Sequence, residues 1–203
     1  MDMRTLVVAC GALASELRAV LAADRIGPDL VEVRYLPAHL HNRPERIVPA
    51  VEPLLDEAEA AGRRAFVAYA DCGTGGRLDA MLARHPGVER LPGAHCYEVF
   101  AGAELFAALH DEEPGTFFLT DFLARHFEAL VWQGLGLDRH PELRSMYFAN
   151  YRRVVLLSQS TEPAVLGAAD DAARRLGLEL EHRHVGRQGL ADVVPIVVRR
   201  SAA

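Results

Sequence analysis

A chain of 203 residues, half of them hydrophobic and a quarter charged, has the composition of an ordinary globular protein and enough length to bury a core without disulfide staples. Its net charge of −6 and its short, scattered arginine runs offer no basic surface to a nucleic acid, and no apolar run nears the roughly 18–20 residues that cross a bilayer. All 22 basic residues are arginine, which excludes a Walker lysine, a Schiff-base lysine and a lysine general base.

Residues 5–10 are continuously apolar and predict a buried strand, with Leu13, Leu17, Val20 and Leu21 following at helical spacing. "LVEVRYLP" alternates into a second strand, and "AHLHNRPER" is a loop. Ile47, Val51, Leu54, Leu55 and Ala58 mark a helix. "RAFVAYA" is a third strand, followed by "DCGTGG" and a helix through Leu78, Met81 and Leu82. "VERLPGAHCYEVFAG" reads as a short strand and a loop carrying Cys96, before a helix "AELFAALHDE". "GTFFLTD" is a strand, with a helix over 122–133 behind it and a short helix through Leu143, Met146 and Tyr147. "RRVVLLSQST" is a buried strand, and Pro163 stands near the first turn of the next helix, where proline costs nothing. "LELEHRHVG" and "VVPIVV" read as closing strands. Strands alternating with helices predict a single α/β domain over 1–203, with a largely parallel sheet, helices on both faces and a Rossmann-like three-layer architecture. The start of the chain carries no signal pattern, so the expected location is cytoplasmic.

Open α/β sheets bind ligands beyond the carboxyl ends of their strands. Here those ends are Cys10-Gly11, Pro37-Ala38-His39, Asp71-Cys72-Gly73-Thr74, Thr120-Asp121 and Ser158-Gln159-Ser160-Thr161. Two thiols, Cys10 and Cys72, sit at the same point of two strand-Cys-Gly-helix units, and the loop with Cys96 can supply a third. Three cysteines are no disulfide framework in a reducing compartment. Three thiolates from separated segments suit a soft metal, leaving one coordination position open for substrate. The leading expectation is a [4Fe–4S] cluster held by Cys10, Cys72 and Cys96, with zinc as the alternative. The open iron would act as a Lewis acid or group-transfer centre on a small molecule. The spacings of 62 and 24 residues match no compact metal motif such as C-x-x-C.

Other readings of the same corner stay open. "CGTGG" could cradle a phosphate or carboxylate on backbone N–H groups, with Gly11, Gly73, Thr74, Gly75 and Gly76 as ligand contacts. It is not a dinucleotide fingerprint, because its glycines are too tightly spaced. The protein would then be a non-enzymatic binder of a small molecule or a corrinoid. Alternatively Cys72 is a nucleophile activated by the following helix start, with Asp71 or His95 nearby, and Asp71, Glu98 or Asp121 could serve as a general base. Thr120, Asp121 and Ser158 at strand ends, and Tyr151 just before a strand, are further ligand-binding candidates, although capping suits Asp121 and wedging suits Tyr151. His39 and His41 read as a solvated loop, and the "HRH" at 182–184 as an exposed strand face. Phe122, Phe127 and Trp132 offer either a homo-oligomer contact or a face buried under the sheet, the second being the simpler.

The stretches "YADCGTGGRLD", "LPGAHCYEVFAG", "PGTFFLTDFLARHFE" and "LGLDRHPELRSMYFANYRRVVLLSQ" together resemble the domain of unknown function 1638 family of bacteria and archaea. The resemblance runs from about Cys10 to the last strand. It implies that Cys10, Cys72 and Cys96 stand at that family's cysteine positions. It also implies partners linked to corrinoid-dependent methyl transfer, near which related genes often lie. It assigns no activity.

Overall fold

The computed structural model describes residues 3–202. They form two compact units, one built from residues up to Val99 together with those from Arg187 onward, the other from Phe100–Gly186. Each unit has its own parallel sheet, so the strands make two sheets rather than one.

In the first unit the order is β2-β1-β3-β4, from β1 (Thr5–Cys10), β2 (Val31–Leu36), β3 (Ala65–Ala68) and β4 (Glu89–Arg90). β1 and β3 are the inner strands, and every residue of both is buried, which is why they read as unbroken apolar runs. Edge strand β2 is mostly half-buried and alternates instead. β1 leads through a short turn into α1 (Ala14–Ala23), and α2 (Ile47–Ala60) buries Ile47, Val51, Leu55 and Ala58 along one stripe. α3 (Arg77–Leu82) packs on α2. α4 (Cys96–Ala101) carries the boundary between the units, so Cys96 opens a helix instead of lying in a loop.

The second unit contains α5 (Ala103–Glu112), β5 (Thr116–Thr120), α6 (Asp121–Arg125), α7 (Leu143–Tyr147), β6 (Arg153–Ser158), α8 (Pro163–Leu176) and β7 (Glu179–His184), with strand order β5-β6-β7. Pro163 is at the start of α8, and Gly177 ends it with φ 74°, the left-handed cap that glycine adopts without strain. The expected helix over 122–133 is broken: α6 stops at Arg125 and a π-helical turn follows at Glu128–Trp132. Phe127 is buried there, and the Arg175 guanidinium lies 4.1 Å from the centre of the Trp132 ring.

The chain returns to the first unit as α9 (Gln188–Ala202), which packs on α1, β1 and β3. The expected strand at "VVPIVV" is therefore a helix. Leu190, Val194 and Val198 recur every four residues and are all buried, a helical period that the β-branched content of the run conceals. No described helix is long and apolar enough to cross a membrane.

Candidate functional site

The carboxyl edge of the first sheet gathers all three cysteines from three segments. β1 and β3 are parallel and in register through Ala9 and Ala68, so the next residues along, Cys10 and Tyr69, come side by side. Beyond Tyr69 the chain leaves the sheet and pairs with the loop before α4. Asp71 N–H donates to the Gly93 carbonyl at 3.2 Å and Cys72 N–H to that of Ala94 at 2.8 Å. Arg90 fixes this loop by donating to the carbonyls of Leu91 (2.7 Å) and Gly93 (3.2 Å), while its guanidinium pairs with Asp79. Cys96 is thereby delivered to Cys72. On the other side, Gly11 lets β1 pass close to the end of β2: a β-carbon there would sit 2.9 Å from the Leu36 carbonyl oxygen. Gly11 is a close-approach glycine in this setting.

Cys10 and Cys72 are buried, and Cys96 is half-buried. The Cys72 and Cys96 thiols face one another, and their contact splits their ionisation. The hydrogen bond from Cys96 holds the Cys72 thiol below its ordinary value, against the pull of burial. That same bond, then burial and the nearness of Cys72, pushes Cys96 well up. Burial pushes Cys10 up to about 11, with the nearness of Cys72 adding to it. Cys72 also holds φ 49°, a left-handed conformation that a residue with a β-carbon adopts at a cost. Among the described residues, the group whose ligand atoms all lie within 4.8 Å of one another is Asp56, Glu59 and His85, without the cysteines. The three sulfurs are thus spread more widely than the ligands of one tetrahedral zinc, which stand about 3.8 Å apart at Zn–S bonds of about 2.3 Å.

The glycine corner is already filled by its own aspartate. The Asp71 carboxylate accepts the Thr74 hydroxyl at 2.6 Å, Gly75 N–H at 3.0 Å and Gly76 N–H at 2.9 Å. The N–H groups expected to cradle a phosphate therefore hold a carboxylate, and Gly73, Gly75 and Gly76, all at positive φ, serve the tight turn around it. Burial raises the Asp71 carboxyl, but the bonds from Thr74, Gly76 and Gly75 outweigh it and hold the group below its ordinary range. A carboxylate so held is a weak base. Glu98 accepts Ala94 N–H at 2.9 Å and its side chain crowds Gly93, so it closes the loop ahead of its own helix.

Thr120, Asp121, Ser158 and Tyr151 belong to the second unit, where each has a local partner. Thr120 caps α6 by accepting Leu123 N–H. Asp121 accepts Gln159 N–H at 2.9 Å and gives its own N–H to the Gln159 side-chain oxygen at 3.1 Å. The Ser158 hydroxyl lies 2.8 Å from His182 Nε2 and 3.1 Å from His184 Nδ1, and both histidines stay on the exposed side of β7, as expected. Tyr151 packs against Phe117 and Phe148.

Two features of the thiol edge escaped the sequence reading. Tyr69 is 2% exposed and its hydroxyl has no hydrogen-bond partner. A tyrosine closing a strand of Ala, Phe and Val one turn ahead of a cysteine was the available signal. His41, expected in solvent, is half-buried and edge-on to Tyr97 at 6.4 Å, with His95 6.2 Å from the same ring. Burial, then His95, lowers the His41 imidazole. The Asp56–Glu59–His85 cluster was also unforeseen. Glu59 and His85 line a cavity of about 410 Å³ with Arg63, Arg64, Leu55 and Val88, at the amino end of β3 and away from the thiols.

A family model described as "Protein of unknown function (DUF1638)" matches residues 35–194. The chain belongs to the DUF1638 family. The matched span includes Cys72 and Cys96 and leaves Cys10 outside it. No curated protein and no solved structure matches the chain. The fold is thus tied to a DUF1638 sequence, and the chemistry has to come from the site.

Proposed function

We propose that this DUF1638 protein is a small-molecule-processing metalloprotein whose Cys10, Cys72 and Cys96 hold a [4Fe–4S] cluster. The observation that carries the reading is the convergence of three thiols, from three separate segments, on one sheet edge. A metal deprotonates its ligating cysteines, and the Cys72 thiol is held below its ordinary value. The three sulfurs do not all lie within 4.8 Å of one another, so they are not drawn up as the ligands of a single zinc. A cluster on three cysteines leaves one iron without a protein ligand, and that iron supplies Lewis-acid or group-transfer chemistry. Asp71 and Glu98 are occupied by the loop, while the His41 and His95 imidazoles lie near the Tyr97 ring, one residue from Cys96. Their rings, with Tyr97, form the polar wall a small ligand would meet. A partner that passes a methyl group or a corrinoid to this site remains part of the proposal.

Protein purified without oxygen should contain iron and acid-labile sulfide in matched amounts. Cys10→Ser, Cys72→Ser and Cys96→Ser should each lose most of that iron. Full iron in all three variants would sink the assignment.

A second reading rests on one observation, the depressed Cys72 thiol with Cys96 as its hydrogen-bond donor. In metal-free protein Cys72 would then act as a nucleophile. At neutral pH iodoacetamide should modify Cys72 first, and Cys10, raised to about 11, last. Mass spectrometry of the peptides reads the order, and equal rates at all three would remove this reading.

A further inference from the structure

Away from the thiols, the first unit draws a second set of metal-ligating side chains together. Asp56 and Glu59 stand three residues apart on α2, a spacing that puts both on one face of the helix. His85 comes from a different segment, the turn between α3 and β4. Two backbone bonds fix that turn: His85 N–H donates to the Leu82 carbonyl at 2.9 Å, and Val88 N–H to the His85 carbonyl at 3.1 Å. The imidazole is 6% exposed, whereas both carboxylate side chains are 66% exposed. One ligand atom from each of the three residues lies within 4.8 Å of the other two.

The hydrogen bonding of His85 is incomplete. Glu59 Oε2 lies 3.2 Å from Nδ1, within hydrogen-bond reach. Asp56 Oδ1 lies 3.9 Å from Nε2, which is too far for a hydrogen bond. Among the described residues this second nitrogen of a nearly buried ring therefore has no hydrogen-bond partner, although rings buried this far are normally satisfied. His85 and Glu59 also line the cavity of about 410 Å³ at the amino end of β3.

We propose that Asp56, Glu59 and His85 form a zinc site on the first unit, with a fourth coordination position open to that cavity. An imidazole and two carboxylates suit zinc, at bonds of about 2.0–2.2 Å, and the nitrogen ligand disfavours magnesium and calcium, which take oxygen. The ligands of such an ion stand about 3.4 Å apart in a tetrahedron, so the set needs only a small closure. That closure falls on the exposed carboxylates, while the buried ring stays in place. Three protein ligands and one open position are the pattern of a zinc that meets a ligand. Arg63 and Arg64 line the same cavity, so the open position takes water or a small anion. The site is independent of the cluster reading, since the thiols lie at the opposite end of β3.

Titration of metal-free protein with zinc chloride, followed by calorimetry, tests the site. Wild type should bind zinc at a site that Cys72→Ser retains. Asp56→Ala and Glu59→Ala should each weaken that binding at least about tenfold, since losing a ligand costs no less than losing the group that orients one. Both substitutions are at exposed positions of a helix, so without zinc these variants should melt close to wild type, and lost binding is then not lost folding. Zinc should raise the melting temperature of wild type and of Cys72→Ser, and leave the double variant Asp56→Ala/Glu59→Ala unmoved. No zinc bound by wild type, full affinity in the carboxylate variants, or binding abolished by Cys72→Ser would each overturn the proposal. The three groups would then be an ion pair of the His85 imidazole with its two carboxylates.

Discussion

At the carboxyl edge of the second sheet, Asp121 and Gln159 exchange hydrogen bonds and the Ser158 hydroxyl bridges two histidines, so its polar groups answer one another. At the carboxyl edge of the first sheet the inventory does not close. There the buried Tyr69 hydroxyl has no hydrogen-bond partner, the Cys72 and Cys96 thiols shift in opposite directions, and burial raises Cys10. Both edges looked alike as strings of strand-end Asp, Thr, Ser and Cys. The difference teaches that polarity at a strand end is not yet a site. What marks the first edge is polar chemistry left without a protein partner, together with a backbone held at φ 49° to present it.

Mutating the second edge should cost stability and leave metal untouched. Asp121→Ala strips the acceptor from the buried Gln159 N–H, while the Gln159 side chain keeps the residue-121 N–H and the Leu157 carbonyl, at about 2–3 kcal/mol by the usual cost of a buried unsatisfied donor. Urea unfolding gives the loss, and iron analysis on the same sample should match wild type. Cys72→Ser should do the reverse, losing iron with a smaller stability change in the metal-free protein. If Asp121→Ala lost iron in proportion to Cys72→Ser, the contrast between the edges would collapse.

Asp71 sharpens the comparison from within the first edge, because it is the one strand-end group there that is fully answered. Asp71→Asn retains an oxygen acceptor but loses the charge that holds Thr74, Gly75 and Gly76 together, which should cost about 1–2 kcal/mol at neutral pH. The folded carboxyl lies below its ordinary 3.8. Its contribution is thus complete above that value and is lost as pH falls through the lower, folded one. The gap between wild type and Asp71→Asn should stay constant from pH 7 to about 5 and close below about pH 4. A gap that widened on acidification would mean Asp71 is not the anion holding the turn.

The fold was legible where one period governed a segment. β1, β3 and β6 are buried on both faces and read as plain apolar runs, and α2 and α8 carry clean helical stripes. The last element was not legible, since "VVPIVV" has strand composition and its helical register shows only when Leu190 is counted in. The division into two sheets was hidden because both halves repeat the same strand-helix alternation. Within the site, sequence position alone brought the three cysteines together. It could not show that Asp71 turns back on Gly75 and Gly76, because the same residues would serve an external phosphate equally well. The neighbourhood of Tyr69 was hidden for a different reason. It includes Cys10, 59 positions earlier in the chain, through a register that only pairing fixes.

The smallest expected effect tests whether the second edge is as self-contained as it looks. The Ser158 hydroxyl is fully buried, with one proton to give and oxygen lone pairs to accept with. It donates to one histidine nitrogen and accepts from the other, so Ser158→Ala leaves two imidazoles without that partner. His182 and His184 are both exposed, so both can turn to water and recover most of the loss. The expected cost is about 1 kcal/mol, read as a fall of about 2–4 °C in melting temperature for a chain of this size. Iron content and the Cys72-first order of alkylation should not change. A loss several times larger would mean that the imidazoles depend on the serine for more than solvent can replace, and the second edge would then merit the same search for a ligand as the first.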